Sequence, residues 1–336
     1  MSKITLTDIS PSDKPWNVHK SESIKIAGIY ARSAAHLRKS ERIRECSGLL
    51  EFGEVADPET GEVRLKLMKA RFCRVRYCPI CQWRRCLFWR AKFYQALPAI
   101  IAQHPTARFL FLTLTVANCR VEELREALQE MGQAWKRLIK RKEFSSVIGW
   151  VRTTEVTREK ERPDYAHPHF HVLLMVPSWY FSGVAYVKHA AWTEAWKGAL
   201  RADYTPVVDV RTVKAKKKPK AGEAETPGLP HDGLVETLKY SVKPSDMAEA
   251  PDWFITMTEQ THHLRFIATG GLFKDVLKPE EKITEGEMIH LADEAPRNEL
   301  VHTIMRFLWE NDTGYILESM REASPQERAR LPDDPG

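Results

Sequence analysis

Three histidines stand on alternate positions of HPHFHVLLMV, residues 167–176, just before the chain turns purely apolar. On a strand alternate side chains share a face, so His167, His169 and His171 project together while Phe170 and Val172 point the other way. Two imidazoles at i and i+2 can chelate one divalent ion. The plainer reading is a pair of surface histidines on an edge strand. Against it stands RTTEVT, which offers Glu155. GWVRTTEVT and HFHVLLMV lie about ten residues apart and predict an antiparallel hairpin across REKERPDYAH, which would bring that carboxylate beside His169 and His171. Two imidazoles and a carboxylate make an open site suited to Mg²⁺ or Mn²⁺ acting on a phosphate oxygen. His167, ahead of Pro168 at the strand entrance, is the weakest ligand of the three.

The second cluster is sulfur. Six cysteines occur, at 46, 73, 78, 81, 86 and 119, and four of them crowd into CRVRYCPICQWRRC. In a cytosolic chain such crowding points to metal before disulfides. Cys78 and Cys81 form a knuckle whose thiolates can face one ion, and Cys73 with Cys46 completes a tetrahedral structural zinc site. Cys86 competes with Cys46 for the fourth place, although one helical turn beyond Cys81 its thiol serves equally as a small apolar group. Cys119 reads as an ordinary thiol.

A third group lies in VETLKYSVK, residues 235–243. Read as a helix, it puts Glu236 and Tyr240 at i, i+4 and Tyr240 and Lys243 at i, i+3, on one face. A tyrosine is a poor nucleophile at its usual pKa near 10 and needs a polarised phosphate, a base or an ammonium beside it. The spacing equally fits a half-buried tyrosine flanked by solvated charges.

These groups need elements to hold them. The chain has 336 residues, 43% of them hydrophobic, enough for one large domain or two modest ones. No apolar run approaches the roughly 18 residues of a membrane span, and the polar start has no signal-peptide core, so a cytoplasmic location without membrane contact is expected. Net charge is +6, but from Val276 onwards there are 7 Lys+Arg against 14 Asp+Glu, leaving +13 on residues 1–275. That asymmetry suits a polyanionic partner, and also a merely solvated surface.

Four regions follow from pattern. Residues 1–45 read as a polar arm, loosely ordered or helical. Residues 46–104 hold a hairpin, GLLEFGEV and VRLKLMKARFC, and a helix whose Arg and Lys among Trp83, Phe88 and Trp89 suit either nucleic-acid contact or ordinary amphipathic packing. Residues 105–277 mix strands (RFLFLTLTV, the hairpin above, TPVVDVRTV) with two helices, and include a lysine-rich surface insert. Residues 278–336 read as an acidic tail with one helix at NELVHTIMRFLWE.

In order along the chain, FLTLT (111–115), HPHFHVLL (167–174) and ETLKYSVK (236–243) resemble the three motifs of rolling-circle replication initiators, members of the His-hydrophobic-His superfamily of single-strand endonucleases. KARFCRVRYCPICQWRR and ADYTPVVDVRTVK resemble the plasmid Rep branch with one catalytic tyrosine and a partner glutamate. The likeness spans residues 40 to 275 and rests on three motifs in the right order. It implies an α+β fold with a central antiparallel β-sheet flanked by helices, the histidine strand mid-sheet and the tyrosine helix beside it, and a zinc-binding segment on the N-terminal side. It also implies that His169 and His171 bind the metal and that Tyr240 attacks a phosphodiester to leave a 5′-phosphotyrosine and a free 3′-hydroxyl. Glu236 would activate water at termination, and Lys243 would sit near the phosphate or phenolate. Glu155 as third ligand comes from geometry. Thr113 and Thr115 would support the sheet. The implied partners are origin DNA, duplex and single-stranded, with a host helicase and polymerase, and a dimer is admissible. A transposase or relaxase of the same superfamily would share the chemistry, and Glu236 in place of a second tyrosine argues against it. A zinc-dependent binding protein would need only the cysteines and the basic surface.

Overall fold

The computed structural model describes residues 3–56, 61–213, 237–238, 242, 244–291 and 300–329. The chain divides into two compact units, Met1–Ala91 together with Glu281–Gly336, and Lys92–Glu280. Among the described residues ten strands follow in chain order: β1 (Leu49–Ala56), β2 (Val63–Ala70), β3 (Arg108–Thr115), β4 (Cys119–Arg120), β5 (Gly149–Arg158), β6 (Tyr165–Val176), β7 (Val208–Thr212), β8 (Ile267–Gly271), β9 (Leu300–Glu310) and β10 (Gly314–Glu322). They form two antiparallel sheets with helices packed on them, the α+β class expected.

In the unit Lys92–Glu280 the sheet order is β7-β3-β6-β5-β8, with the short β4 also paired to β6. The histidine strand β6 is therefore flanked on both sides, and its residues from Pro168 to Val176 are all buried. The helices Leu124–Leu138 and His189–Leu200 cover its Phe170 face. Leu124, Leu128, Met131, Trp135 and Leu138 recur at helical spacing and are all buried, so one stripe faces the sheet. Trp135 meets Trp150 edge-on at 4.9 Å and Phe170 at 6.3 Å, and Trp196 lies 6.2 Å from Phe170. Room for Trp150 comes from Gly270 on the neighbouring strand, where a Cβ would stand 2.4 Å from the indole.

The other unit carries the sheet β10-β9-β1-β2. The polar arm takes the helical of its two expected forms, chiefly in Lys14–Tyr30 and Leu37–Glu45. Two expectations are overturned. The acidic tail is not an appendage but supplies β9 and β10 to the same sheet as β1. NELVHTIMRFLWE is a strand rather than a helix. Val301, Ile304 and Phe307 are buried at spacings of three, which mimics a helix stripe, but a β-bulge where β1 passes from Glu54 to Val55 skips one residue of β9 and lets Val301 and Ile304 enter one core with Val55.

The helix Pro79–Gln103 contains the unit boundary, between Ala91 and Lys92. Of the residues that suited either nucleic-acid contact or packing, Arg84, Arg85 and Phe88 are buried. Arg84 Nε donates to the Met288 carbonyl at 2.7 Å, and Arg85 donates to the Arg76 carbonyl at 2.6 Å. The ordinary packing reading holds for this face. Among the described residues no helix is long and apolar enough to cross a membrane.

Candidate metal centres and active site

The sheet register sets the first cluster. His169 lies opposite Glu155 on β5 and Thr115 on β3, while His171 lies opposite Thr153 and Thr113. Cross-strand neighbours stand about 5 Å apart, near enough for one carboxylate to reach both an opposite and a diagonal partner. Glu155 Oε2 does so, at 3.2 Å from His169 Nε2 and 2.7 Å from His171 Nε2. All three residues are buried, and their ligand atoms lie within 4.8 Å of one another.

The far side of each ring fixes its chemistry. His169 Nδ1 donates to the His167 carbonyl at 3.1 Å, and His171 Nδ1 stands 3.3 Å from Thr113 Oγ1. With Nδ1 engaged in this way, each ring presents Nε2 to the carboxylate, as a donor to it when the ring is protonated and as a lone pair for a cation when it is not. The donor set fits a hard divalent ion with open positions. Phe111 stacks on His171 at 5.4 Å and holds its plane. Burial works against ionisation of Glu155, but the hydrogen bonds and charges of His169 and His171 outweigh it and keep the carboxyl well below the usual range. His167 lies beside the cluster, its ring 5.1 Å from that of His169, but outside the ligand group, and its Nδ1 meets Asn118 Oδ1 at 2.6 Å. Thr115, expected as support, donates its hydroxyl to the Val207 carbonyl at 2.8 Å.

Tyr240, Glu236 and Lys243 lie outside the described residues, as does the lysine-rich insert from 214 onwards. Of their neighbours, Thr237, Leu238 and Val242 are described and buried. The Thr237 carbonyl accepts a hydrogen bond from Thr153 Oγ1, on the strand that carries Glu155 and directly opposite His171.

The second cluster gathers from three segments. Cys46 caps the helix Leu37–Glu45, Cys73 follows β2, and Cys78 and Cys81 bracket the start of the helix Pro79–Gln103. Cys81 Sγ is 3.6 Å from both Cys46 Sγ and Cys73 Sγ, and one ligand atom from each of the four lies within 4.8 Å of the others. Four sulfurs at about 2.3 Å from a tetrahedral zinc stand about 3.8 Å apart, so the donor set and its size fit such an ion. Cys86 is half-buried and outside the group, which leaves Cys46 as the fourth member. Burial opposes charge on Cys78, but hydrogen bonds from Cys46, Cys73 and Cys81 outweigh it and hold the thiol well below its usual range. Cys119 stands apart, pushed up to about 11 by burial and the charge of Glu123.

Around the sulfurs are residues that sequence reading did not single out. Lys20 is fully buried and donates to the Arg44 carbonyl at 2.8 Å and the Cys46 carbonyl at 2.5 Å. Ser23 Oγ lies 3.6 Å from Cys78 Sγ and accepts from the Ile80 N–H at 3.4 Å. The Tyr315 hydroxyl donates to the Ser47 carbonyl at 2.6 Å. Nothing in a polar helix such as Lys14–Tyr30 signals which lysine turns inward. Thr113 likewise carried a structural expectation, and the structure sets it against a ligand ring.

Comparison with known proteins adds the family. Residues 64–316 match the family described as "Replication protein". "Protein rep" of Lentilactobacillus hilgardii is 33% identical over 328 residues, covering 94% of this chain and 100% of that protein. "Protein rep" of Streptococcus pneumoniae serotype 2 (strain D39 / NCTC 7466) is 33% identical over 288 residues, 84% of this chain and 85% of its own. The protein of the same name from Bacillus amyloliquefaciens is 37% identical over 257 residues, 72% and 73% of the two chains. No solved structure matches. With the family matched across both clusters but Cys46, and full-length relatives alongside, the chain belongs to the replication protein (Rep) family, that of the plasmid rolling-circle replication initiators it resembles.

Proposed function

We infer that this chain starts plasmid rolling-circle replication by nicking one strand at the double-strand origin, with Tyr240 as nucleophile. The observation that carries the reading is the convergence of His169 and His171, on the central strand of the sheet, with Glu155 on the strand beside it, in a replication protein. The phenolic oxygen of Tyr240 bonds to the scissile phosphorus while the bond from phosphorus to the 3′ oxygen breaks. That oxygen takes up a proton and becomes the 3′-hydroxyl from which a host polymerase extends, with a helicase opening the duplex. The strand's 5′ end stays on the enzyme as phosphotyrosine.

Each residue has a share in this. The phenol must shed a proton, and the Lys243 ammonium, three residues on, favours the phenolate. Glu155, His169 and His171 would hold Mg²⁺ or Mn²⁺, which when bound draws charge from a phosphate oxygen. The buried apolar half of β6 keeps the imidazoles from drifting, and Thr113 and the His167 carbonyl hold their tautomers. At termination Glu236 takes a proton from water, whose oxygen then attacks phosphorus and releases the tyrosine. The four cysteines hold a structural zinc.

The test is a nicking assay on the supercoiled plasmid that bears the cognate origin, with Mg²⁺ or Mn²⁺, for wild type and Tyr240→Phe. Metal-dependent relaxation with a covalent protein–DNA adduct is expected, and both should vanish in the variant. Nicking that persists in Tyr240→Phe assigns the nucleophile elsewhere. Tight binding without any cutting makes the chain a DNA-binding protein only.

A further inference from the structure

Lys20 is the one charged side chain among the described residues with no exposed surface. Its ammonium touches two backbone carbonyls, of Arg44 and Cys46, and among the described residues no carboxylate pairs with it. Carbonyl dipoles alone leave a buried cation costly, and an opposite charge is what makes such burial tolerable. Its contact with the Cys46 carbonyl sets the ammonium against a member of the four-sulfur cluster, and while burial disfavours its charge, the sulfurs of Cys46, Cys78, Cys73 and Cys81 favour it. Four thiolates around a dication keep two excess negative charges, in a site where Cys46, Cys78 and Cys81 are at most 1% exposed.

The same helix makes a second contact with the cluster. Ser23 follows Lys20 by three residues, on one helix face, and its hydroxyl lies against Cys78 while it accepts the Ile80 N–H. The helix Lys14–Tyr30 thus rests on the cluster through one cation and one hydroxyl.

We propose that Lys20 is the counter-ion of the metal-loaded four-cysteine cluster, so that loading the cluster and seating the helix Lys14–Tyr30 are energetically coupled. This rests on the metal reading of the cysteines. Coupling of two binding events is reciprocal: whatever factor the seated helix adds to metal affinity, the metal adds to the seating of the helix. An uncharged side chain of similar length should therefore act in opposite directions on the two states. It weakens metal binding, because the anionic cluster loses its counter-charge. It also makes the helix seat more tolerant of metal removal, because no bare cation is left in the interior.

The experiment titrates the full chain with Co²⁺ in wild type, Lys20→Met and Lys20→Arg. The thiolate-to-cobalt charge-transfer band reports the cysteines and is silent for Glu155, His169 and His171. Wild type should show the band, Lys20→Met should bind roughly 10- to 100-fold more weakly, as for other groups behind metal ligands, and Lys20→Arg should stay nearer to wild type. Hydrogen exchange of residues 14–30, before and after stripping the metal with a chelator, should show a loss of protection in wild type and a smaller loss in Lys20→Met. Equal cobalt affinity in wild type and Lys20→Met overturns the counter-ion role. So does unchanged protection in stripped wild type, a result that needs no variant to fold. Absence of the charge-transfer band in wild type instead overturns the metal reading on which the proposal stands.

Discussion

The two ligand clusters are made from opposite kinds of backbone. Glu155, His169 and His171 come from adjacent strands of one sheet, and hydrogen-bonded register sets their separations before any ion arrives. The four cysteines come from a helix end, a strand exit and a helix start, with a fourth segment, the helix Lys14–Tyr30, leaning on them. In the first case the fold positions the ligands. In the second the ligands come from separate segments that meet beside the β1–β2 hairpin. An ion in the first site would have three protein ligands and could serve the proposed chemistry, whereas an ion in the second would be closed off by four sulfurs. Losing the ion should then erase activity in one region and structure in the other.

The sharpest way to break this contrast is His169→Ala. Nicking should fall by about 10³-fold or more, on the scale of losing a charge-stabilising group, while the thermal midpoint moves by only a few degrees. A collapse of the fold in that variant would show that the histidine cluster is structural too. Cys81→Ser should do the reverse. It should destabilise the cysteine unit by several kcal/mol, seen as a separate low-temperature transition, because the binding energy of a structural zinc is folding energy. Cutting of a single-stranded oligonucleotide that needs no opening should survive it. Equal loss of both in either variant would merge the two regions.

Smaller effects sharpen the comparison. Thr113→Val keeps the shape but removes the oxygen beside His171 Nδ1, and should weaken catalytic-metal affinity by about tenfold without touching cobalt binding at the cysteines. The pH dependence gives the last test. Glu155 has a folded pKa below its ordinary value of 4.5, so its contribution to stability is present above that value and is lost as pH falls through the folded value. Denaturant titrations of chelator-treated protein from pH 6 to pH 3 should show wild type losing stability on the acid side, with a flatter profile in Glu155→Gln.

The histidine site was legible because a strand's period is two and its partner strand lies close in sequence. HPHFH and RTTEVT fix which side chains share a face, and a short connection leaves one sensible pairing for Glu155. The cysteines were legible by type and crowding, but not their fourth member. That Cys46 and not Cys86 joins the group depends on how the hairpin β1–β2 returns the chain to the knuckle, a tertiary matter. Local pattern misled at β9, where a bulge puts residues three apart on one side and imitates a helix. It also left open the role of Arg84 and Arg85, because a basic helix face looks the same in sequence whether its guanidiniums meet phosphate or backbone carbonyls. Lys20 was illegible for the same reason: its burial is decided by what packs on the helix and not by its neighbours in the chain.

The sheet β10-β9-β1-β2 joins the two ends of the described chain, with Thr5 bridged to Ile316 and Leu50 paired with Phe307. On the ribosome, β1 and the cysteines emerge early, yet β9 follows roughly 250 residues later, so this sheet is among the last structures to close. The sheet that carries the histidines has all its strands by Gly271 and can form sooner. A nascent chain would then pass through a stage with its histidine sheet assembled and its cysteines still unguarded, and the supply of metal to those thiols becomes a question of timing during synthesis.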